Sequence, residues 1–357
     1  MKALIAAGGH GTRLRPITYS INKHLFPIAN KPMIFYALER ISEAGIKEAG
    51  ININKGETEI QRLVGKGDKW GLKITYIEQE GGALGLAHVI KNAKNWIGRD
   101  ELLFYLGDNI ISTSIKGLMD KFRRDKLDCL LALSRVSDPE RFGVPIIKGK
   151  RIIRVEEKPK SPQSDFAVTG IYVYSNKIIQ AVGKIKPSAR GELEISDAHT
   201  YLIEHGAKVG YEEITGWWKD TGKPKDLLEG NALVLAGIEQ SRIRGLVGRD
   251  VEIQGTAVIG EGTKISQGVV IKGPVIIGAN CRIEKAIIGP NVSVARDCEV
   301  KETNLKNTII CQGSRVIGCK KGIARSLIGR DCLITAEDST KPRGHRLIIG
   351  DKAEVEL

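Results

Sequence analysis

Aliphatic residues recur at every sixth position over much of the C-terminal third of the chain. The regular run comprises Val247, Ile253, Ile259, Ile265, Ile271, Ile277 and Ile283. After a slip of one residue it resumes at Ile288, Val294 and Val300, and shorter pairs follow at Ile310 and Val316 and at Ile328 and Ile334. An irregular β-sandwich would show a period of two instead. The hexapeptide period therefore predicts a left-handed β-helix, whose coils stack aliphatic side chains in a narrow core.

The repeat divides the sequence into two predicted domains, residues 1–240 and 241–357. In the first domain, the apolar runs KALIAA, KITYIEQ, ELLFYLGD and DCLLALSRV are typical of buried strands, and KPMIFYALERISEAG is typical of a helix that ends at Gly45. This alternation predicts an α/β fold with a Rossmann-like, mixed but mostly parallel sheet. Residues 226–244 are expected to form a joining helix, and the terminal IIGDKAEVEL a last strand on the β-helix.

Composition narrows the classes of partner. Basic residues give a formal net charge of +13, but they are spread along the chain without long runs or interleaved aromatic residues. This distribution favours attraction of phosphorylated small molecules over nucleic-acid binding. No apolar stretch has the length of a signal peptide core or a membrane span, so a cytoplasmic location is expected. The six cysteines show no C-x-x-C pair and are expected to be reduced, although a disulfide or metal cluster beyond residue 280 is conceivable.

The loop after the first predicted strand combines glycines with a cation. Its residues are Gly8, Gly9, His10, Gly11, Thr12, Arg13 and Leu14. A dinucleotide-binding G-x-G-x-x-G turn that starts at Gly9 would need glycine at position 14, so that motif fails. Glycines that let backbone N–H groups approach an anion, beside an arginine, favour a phosphate-binding loop. A purely structural turn is the alternative.

The stretches GHGTRLRPIT and KHLFPIANKPM resemble the signature of the sugar nucleotidyltransferases. Further pieces follow in the order and spacing of that family: GLAHVI from Gly85, LGDN from Leu106, FGV from Phe142, VEEKP from Val155, VTGIYVY from Val168, RGELEISD from Arg190 and WWKDTG from Trp217. The chain most resembles the glucose-1-phosphate thymidylyltransferases, in the longer form with a C-terminal extension. The resemblance covers nearly all of residues 1–235.

The resemblance implies that a hexose 1-phosphate attacks the α-phosphorus of a nucleoside triphosphate, expected to be dTTP, and releases pyrophosphate. Arg13, Lys23 and Asp108 are then the catalytic residues: Arg13 holds the triphosphate and Lys23 bridges phosphate oxygens. Asp108 and Asp220 are expected to bind Mg²⁺, which prefers one or two carboxylates plus phosphate oxygens. An isolated aspartate at a strand end is more often a turn or cap residue. The nucleotide-binding set is Gly8, Gly9, Gly11, Thr12, Arg13, Gln79, Gly85 and Asp108.

The resemblance also implies a sugar phosphate pocket in the second half of the first domain. Lys158 is expected to contact the sugar phosphate, and Glu157 to accept hydrogen bonds from sugar hydroxyls. Gly143 and Val168 are expected to line the pocket through their backbones, because a small residue permits close approach. Trp218 is expected to pack against this region. A charged surface turn is the alternative for the EEKP stretch.

Two departures from the family pattern bear on substrate choice. The family's base-reading glutamine lies five residues before the glycine of GLA, whereas here Glu80 has that spacing and Gln79 lies six residues before Gly85. A one-residue insertion at Gly81-Gly82 would leave Gln79 in the role, and Gln79 is the predicted base-reading residue. Phe142 stands where a close relative commonly has tyrosine, which removes a hydroxyl near the sugar.

Three alternatives remain at this point. In the first alternative, the chain is a glucose-1-phosphate uridylyltransferase that uses UTP instead of dTTP. The two nucleotides differ by the methyl group of thymine and the 2′-hydroxyl, features by which a pocket discriminates only modestly. In the second alternative, the β-helix also acts as an acyltransferase. Such an enzyme generally needs a histidine as its base, and His345 is the only histidine after residue 205. In the third alternative, the chain binds sugar nucleotides without catalysing a reaction. Loss of Arg13, Lys23 or either aspartate would indicate this, and all four residues are present. No catalytic role is assigned to His10, His24 or His88, and a homo-oligomer is expected from the flat faces of a β-helix.

Overall fold

The computed structural model describes residues 1–336 and 352–356. The chain divides into two compact units. The first unit comprises Met1–His10, Asn22–Leu25 and Met33–Asp220, and the second comprises Gly11–Ile21, Phe26–Pro32 and Thr221–Leu357. The second unit therefore includes two short N-terminal segments as well as the C-terminal region. In the described ranges no helix combines the length and apolar character needed to cross a bilayer.

Thirteen strands and eight helices precede the repeat region. The strands are β1 Lys2–Ala6, β2 Pro27–Ile28, β3 Lys31–Pro32, β4 Glu48–Ile53, β5 Lys73–Glu78, β6 Leu102–Leu106, β7 Asn109–Ile111, β8 Cys129–Arg135, β9 Gly143–Lys148, β10 Arg151–Glu157, β11 Phe166–Tyr174, β12 Val209–Glu213 and β13 Trp218–Asp220. The helices are α1 Met33–Glu43, α2 Glu59–Val64, α3 Leu86–Asn92, α4 Lys94–Ile97, α5 Lys116–Arg124, α6 Lys177–Lys184, α7 Ile195–Glu204 and α8 Pro224–Ala236.

A nine-stranded mixed sheet forms the centre of the first unit. Its order is β10-β9-β11-β6-β1-β4-β5, and β8 pairs with both β11 and β12. Strand β1 lies parallel to β4 and β6, while β11 runs antiparallel to β6, β8 and β9. The apolar runs of β1 and β6 are buried on both faces, as expected for central strands covered by helices. The predicted α/β fold with a mixed sheet is confirmed.

The sequence patterns located these elements well. The runs KALIAA, KITYIEQ, ELLFYLGD and DCLLALSRV contain β1, β5, β6 and β8. Helix α1 buries Ile34, Leu38 and Ile41 completely, which is the face that the apolar spacing predicts. Gly45 follows the helix with a φ of +82°, a conformation that glycine adopts without strain.

Three parallel sheets form the repeat region of the second unit. Its strands are β14 Arg242–Ile243, β15 Leu246–Val247, β16 Glu252–Gln254, β17 Ala257–Ile259, β18 Lys264–Ile265, β19 Val270–Lys272, β20 Val275–Ile277, β21 Arg282–Glu284, β22 Ile287–Ile288, β23 Val292–Val294, β24 Glu299–Lys301, β25 Leu305–Lys306, β26 Ile309–Ile310, β27 Arg315–Ile317, β28 Ile323–Ala324, β29 Leu327–Ile328 and β30 Leu333–Thr335. Each sheet takes every third strand, so one coil contributes one strand to each sheet. This is the predicted β-helix.

The aliphatic period corresponds to stacked core positions. Ile265 pairs with Ile283 in the next coil, 18 residues on, and both are buried. Ile271 pairs with Ile288, so that this coil has 17 residues and the slip seen in the sequence is absorbed in one turn. Equivalent residues therefore stay in register, because each coil buries its apolar face against its neighbours.

Two expectations for the C-terminal region need comment. The joining helix is shorter than predicted, since α8 ends at Ala236 and the chain enters β14 at Arg242. His345 lies outside the described residues, and the described part of the expected terminal strand, residues 352–356, forms no strand. The six cysteines are free thiols, and Cys281 and Cys298 contact backbone carbonyls within the coils at 3.0 and 3.2 Å.

Candidate active site

Three parallel strands of the first unit end beside one another. β1 pairs with β6 along its whole length and with β4 from Ala3 to Ala6. Beyond the strand ends, Ala7 N donates to Asn52 O at 2.9 Å and Gly107 N donates to Ala6 O at 3.0 Å. The loop that begins at Gly8 and the loop that carries Asp108 therefore leave the same sheet edge, where ligands of such sheets bind.

A buried ion pair joins two of the predicted catalytic residues. Lys23 Nζ donates to Asp108 Oδ2, and the two side chains are only 7% and 18% exposed. Burial works to raise the pKa of Asp108, but the adjacent charge of Lys23 and hydrogen bonds from Lys23 and Asn109 outweigh it. The net effect holds the pKa of this carboxyl well below its usual range. Asp108 is therefore a carboxylate throughout the neutral range.

His24 lies beside this pair as a neutral imidazole. Burial lowers the pKa of His24 to about 4. Its Nδ1 and its backbone N lie 3.0 and 2.9 Å from Asn22 Oδ1, which accepts from both. A side chain at Gly107 would come within 3.1 Å of the His24 ring and 3.0 Å of Ala6 O, so glycine permits this close packing. His24 thus supports the Lys23 segment without adding charge at neutral pH.

Asn109 lies next to one predicted metal carboxylate and opposite the other. Strand β13 pairs antiparallel with β7, which places Asp220 opposite Asn109, the residue after Asp108. Asn109 is 2% exposed, and its Nδ2 donates to Asp108 Oδ1 at 2.8 Å. Its Oδ1 accepts from Trp218 Nε1 at 2.6 Å and from Gly170 N at 3.3 Å. Asn109 lies in the LGDN stretch but had no predicted role, although its amide links Asp108 to Trp218 on the strand that carries Asp220.

The predicted sugar residues also come together. Gly143 on β9 pairs with Val168 on β11 and with Glu157 on β10. A side chain at Gly143 would lie 2.9 Å from Ser196 Oγ, so only glycine leaves the space open. Trp218, the remaining predicted sugar residue, packs edge-on against Phe142 with ring centroids 5.2 Å apart. Phe142, the residue that departs from the family pattern, therefore packs beside the predicted sugar pocket.

A charged network surrounds Glu157. Ser196 Oγ donates to its Oε2 at 2.7 Å, and Lys158 Nζ and Arg190 Nη2 lie 3.4 and 3.5 Å from its Oε1. Arg190 also contacts Glu194 at 2.8 Å. Arg190 and Ser196 belong to the RGELEISD stretch, but sequence analysis named neither as a site residue. Their cationic and hydroxyl groups suit a phosphorylated sugar.

Amide groups gather beside Gly8, where the nucleotide base is predicted to bind. A side chain at Gly8 would collide with Gln79 Oε1 and lie 3.1 and 3.4 Å from Asn52 Oδ1 and Asn54 Oδ1. Gln79 Nε2 donates to Gly82 O. Asn52 is fully buried, its Nδ2 donates to Ile77 O at 3.3 Å, and its Oδ1 has no hydrogen-bond partner among the described residues. Sequence analysis predicted Gln79 and Gly8 but missed both asparagines.

The remaining nucleotide residues divide between the two units. Gly85, in the first unit, has a φ of +99°, and a side chain there would lie 2.5 Å from Leu193 O. Gly9 is exposed at the end of the first unit's opening segment. Gly11, Thr12 and Arg13 belong to the second unit, where residues Thr12–Leu14 form a short 3₁₀ helix and Arg13 is exposed. The approach of Arg13 to a triphosphate stays a prediction.

Comparisons with known proteins place this geometry in a family. The family profile described as "Nucleotidyl transferase" matches residues 2–237. Glucose-1-phosphate thymidylyltransferases of Streptomyces griseus and Streptomyces antibioticus are 41% and 42% identical to the chain, over 100% of it and 99% of each relative. A crystal structure of a candidate glucose-1-phosphate thymidylyltransferase of Bacillus anthracis, in complex with a sucrose, matches with 39% identity and a TM-score of 0.63, over 68% of this chain and 98% of that one. The chain therefore belongs to the nucleotidyl transferase family.

Proposed function

We propose that this protein is a glucose-1-phosphate thymidylyltransferase, which makes dTDP-glucose and pyrophosphate from dTTP and glucose 1-phosphate. The names of the full-length relatives support the substrates. The observation that carries the chemistry is the buried Lys23–Asp108 ion pair at the end of β6, which Asn109 links to the strand of Asp220. Such an arrangement presents a cation and carboxylates to phosphate groups at the ligand-binding edge of the sheet.

The proposed step is a single in-line displacement. A phosphate oxygen of glucose 1-phosphate forms a bond to the α-phosphorus of dTTP, while the bond from that phosphorus to the β-phosphate oxygen breaks. The bonding pair leaves with pyrophosphate. The attacking oxygen is already anionic at neutral pH, so no side chain must remove a proton. A neutral His24 is consistent with this, because the reaction needs positioning and charge neutralisation rather than a base.

Lys23 and Arg13 supply the positive charge in this proposal. Lys23 is held by Asp108 before substrates arrive, and the transferring phosphate oxygens then compete for its ammonium group. Its burial strengthens the interaction, because few water molecules screen a charge in such a site. Arg13 is exposed and lies two residues after Gly11, which has a φ of +59°, in a loop whose backbone N–H groups suit an anion. Arg13 would hold the departing pyrophosphate.

In this proposal Asp108 and Asp220 would hold a magnesium ion, because carboxylate oxygens are ligands that Mg²⁺ prefers. Among the residues that the structure describes, no group of three or more histidine, cysteine, aspartate or glutamate side chains is placed to hold a metal. If these two carboxylates held Mg²⁺, phosphate oxygens and water would complete its shell, which is the usual behaviour of Mg²⁺. When bound, Mg²⁺ would neutralise charge on the triphosphate.

The base pocket supports a second candidate nucleotide, UTP. Gln79, Asn52 and Asn54 present amide groups beside Gly8, and amides read the polar edge that thymine and uracil share. None of these groups is apolar, so none favours the methyl group of thymine. The dTTP assignment therefore depends on the names of the relatives.

We further propose that the β-helix mediates a homo-oligomer. Its sheets are parallel, and two leucines at the ends of one ladder, Leu246 and Leu333, are 69% and 64% exposed. Light scattering after gel filtration tests this, and a monomer at micromolar concentration would exclude it.

Pyrophosphate release tests the enzymatic proposal. The purified protein is given glucose 1-phosphate and Mg²⁺ with dTTP or UTP in separate reactions. Asp108→Asn is the test variant, and Asp120→Asn, an exposed carboxylate on α5, is its matched control. We expect turnover with dTTP that falls at least about a hundredfold in Asp108→Asn and is unchanged in Asp120→Asn. Release with UTP alone would change the base assignment, and release with neither base would refute the proposal.

A further inference from the structure

A tight hairpin follows the Lys23 segment in the chain. Strands β2 and β3 pair antiparallel, and the two residues between them, Ala29 and Asn30, both have positive φ, at 47° and 60°. Positive φ at both central residues is the geometry of a type I′ turn. The hairpin belongs to the second unit, together with α8 and the β-helix, although it begins only a few residues after Lys23. What holds this hairpin therefore bears on the segment that carries Lys23.

Asn231 on α8 ties the hairpin to the fourth coil of the β-helix. Its Oδ1 accepts from Ala29 N at 2.9 Å and from Ser293 Oγ on β23 at 2.7 Å. Its Nδ2 donates to Asn291 O at 3.4 Å. Both Asn231 and Ser293 are 0% exposed. One buried side chain on α8 thus satisfies groups of the hairpin and of the β-helix, and we call Asn231 and these partners the Asn231 node.

A second hydrogen bond reinforces the node. Asn30 Nδ2 donates to Val294 O at 2.7 Å, one residue beyond Ser293. Ser293 is also unusual in its ladder, since the residues in register with it are Ile276 and Ile309, both aliphatic. A single hydroxyl in an apolar ladder, placed where a buried amide oxygen needs a second donor, indicates specific docking rather than general packing.

We propose that Asn231 is a positioning residue for Lys23, and that the β-helix contributes to catalysis by holding the hairpin that follows the lysine. The chain runs without a break from Asn22–Leu25 into Phe26–Pro32, so an anchored hairpin limits the positions open to the lysine backbone. Displacement of a catalytic group by about 1 Å can cost on the order of a hundredfold in rate. This inference rests on the proposed function for its kinetic readout, and it extends the role of the β-helix beyond assembly.

Three variants of the full-length chain test the proposal. Asn231→Leu removes every bond of the node and keeps the number and branching of the side-chain heavy atoms. Ser293→Ala removes one donor and is the milder variant, in case Asn231→Leu folds poorly. Thr308→Val is the matched control, because Thr308 is also fully buried in the β-helix but donates only to the coil's own Lys306 O, at 2.8 Å.

The kinetic test separates positioning from folding. We expect Asn231→Leu to lower kcat by roughly ten- to a hundredfold, with the KM for dTTP changed less than threefold, and Ser293→Ala to lower kcat by a smaller factor. Thr308→Val should keep the wild-type kcat. Equal kcat values in Asn231→Leu and wild type, or an equal loss in Thr308→Val, would overturn the proposal.

Hydrogen exchange tests the same proposal without turnover. Leu25 N donates to Asn22 O at 2.9 Å, so its amide reports the order of the lysine segment. We expect the amides of Ala29 and Leu25 to exchange faster in Asn231→Leu than in the wild type, and to exchange at the wild-type rate in Thr308→Val. Unchanged exchange at Leu25 would overturn the positioning role. If the wild-type protein showed no turnover, the proposed function would fail, while this exchange result would still decide the role of Asn231.

Discussion

Replacement of Lys23 by methionine would leave a buried carboxylate without its cation. Lys23 is 7% exposed and Asp108 is 18% exposed, so water cannot substitute fully for the lost partner. Removal of one member of a buried pair typically costs about 3–5 kcal/mol of unfolding free energy. We expect Lys23→Met to fall in this range. The double variant Lys23→Met/Asp108→Asn should recover most of the loss, because it no longer buries an unpaired charge.

Asp108 should make the stability of the single variant depend on pH in a range where it has no such effect in the wild type. In the wild type the pKa of Asp108 is depressed, so its contribution is present above the ordinary aspartate value of about 3.9 and is lost only as pH falls below that. Between pH 8 and pH 5 this group therefore leaves wild-type stability flat. Without Lys23, burial dominates and raises the pKa of Asp108 above its ordinary value. Lys23→Met should then become more stable as pH falls from 7 to 5.

Tryptophan fluorescence during urea unfolding can measure both effects. All four tryptophans lie in Met33–Asp220, so their signal reports the first unit alone. Lys94→Met, which removes an exposed lysine on α4, is the matched control and should change stability by less than about 0.5 kcal/mol. A single variant as stable as the double variant, or one whose stability falls between pH 7 and 5, would refute the reasoning.

Three further substitutions test other parts of the site. Gln79→Leu should raise the KM for dTTP at least about tenfold with a smaller change in kcat, and an unchanged KM in steady-state assays would remove Gln79 from the base pocket. Asn109→Leu should lower kcat at least about tenfold, because the buried groups that the amide joins lose their partner; wild-type activity would contradict its linking role. Gly85→Ala should destabilise the fold by about 1–3 kcal/mol more than Gly98→Ala in urea unfolding, since a side chain at Gly85 meets Leu193 O at 2.5 Å whereas Gly98 has open space; equal losses would contradict this.

The sequence by itself determined the repeat region and the position of residues that directly follow a buried strand. The six-residue period predicted the β-helix, because a narrow apolar core admits one aliphatic residue per strand, and the slip of one residue in that period corresponds to a coil of 17 residues in the structure. The apolar run before Asp108 predicted β6 and therefore the sheet edge where this carboxylate lies. The resemblance identified Lys23 and Asp108 separately. In the structure Asp108 follows β6 at this edge, and Lys23 contacts it there.

Only the tertiary structure decided the polar contacts between distant segments. Asn52 approaches Gly8, Asn109 receives Trp218, and Asn231 joins a hairpin some 200 positions earlier to a coil that follows it. The separation of Asn231 from Ala29 is 202 residues. A single amide leaves no period in the sequence, and its partners are set by how strands and coils pack. A buried polar group without a partner lowers the free energy of unfolding, whereas an exposed one bonds to water. Packing therefore decides which asparagines join distant segments and which only contact solvent.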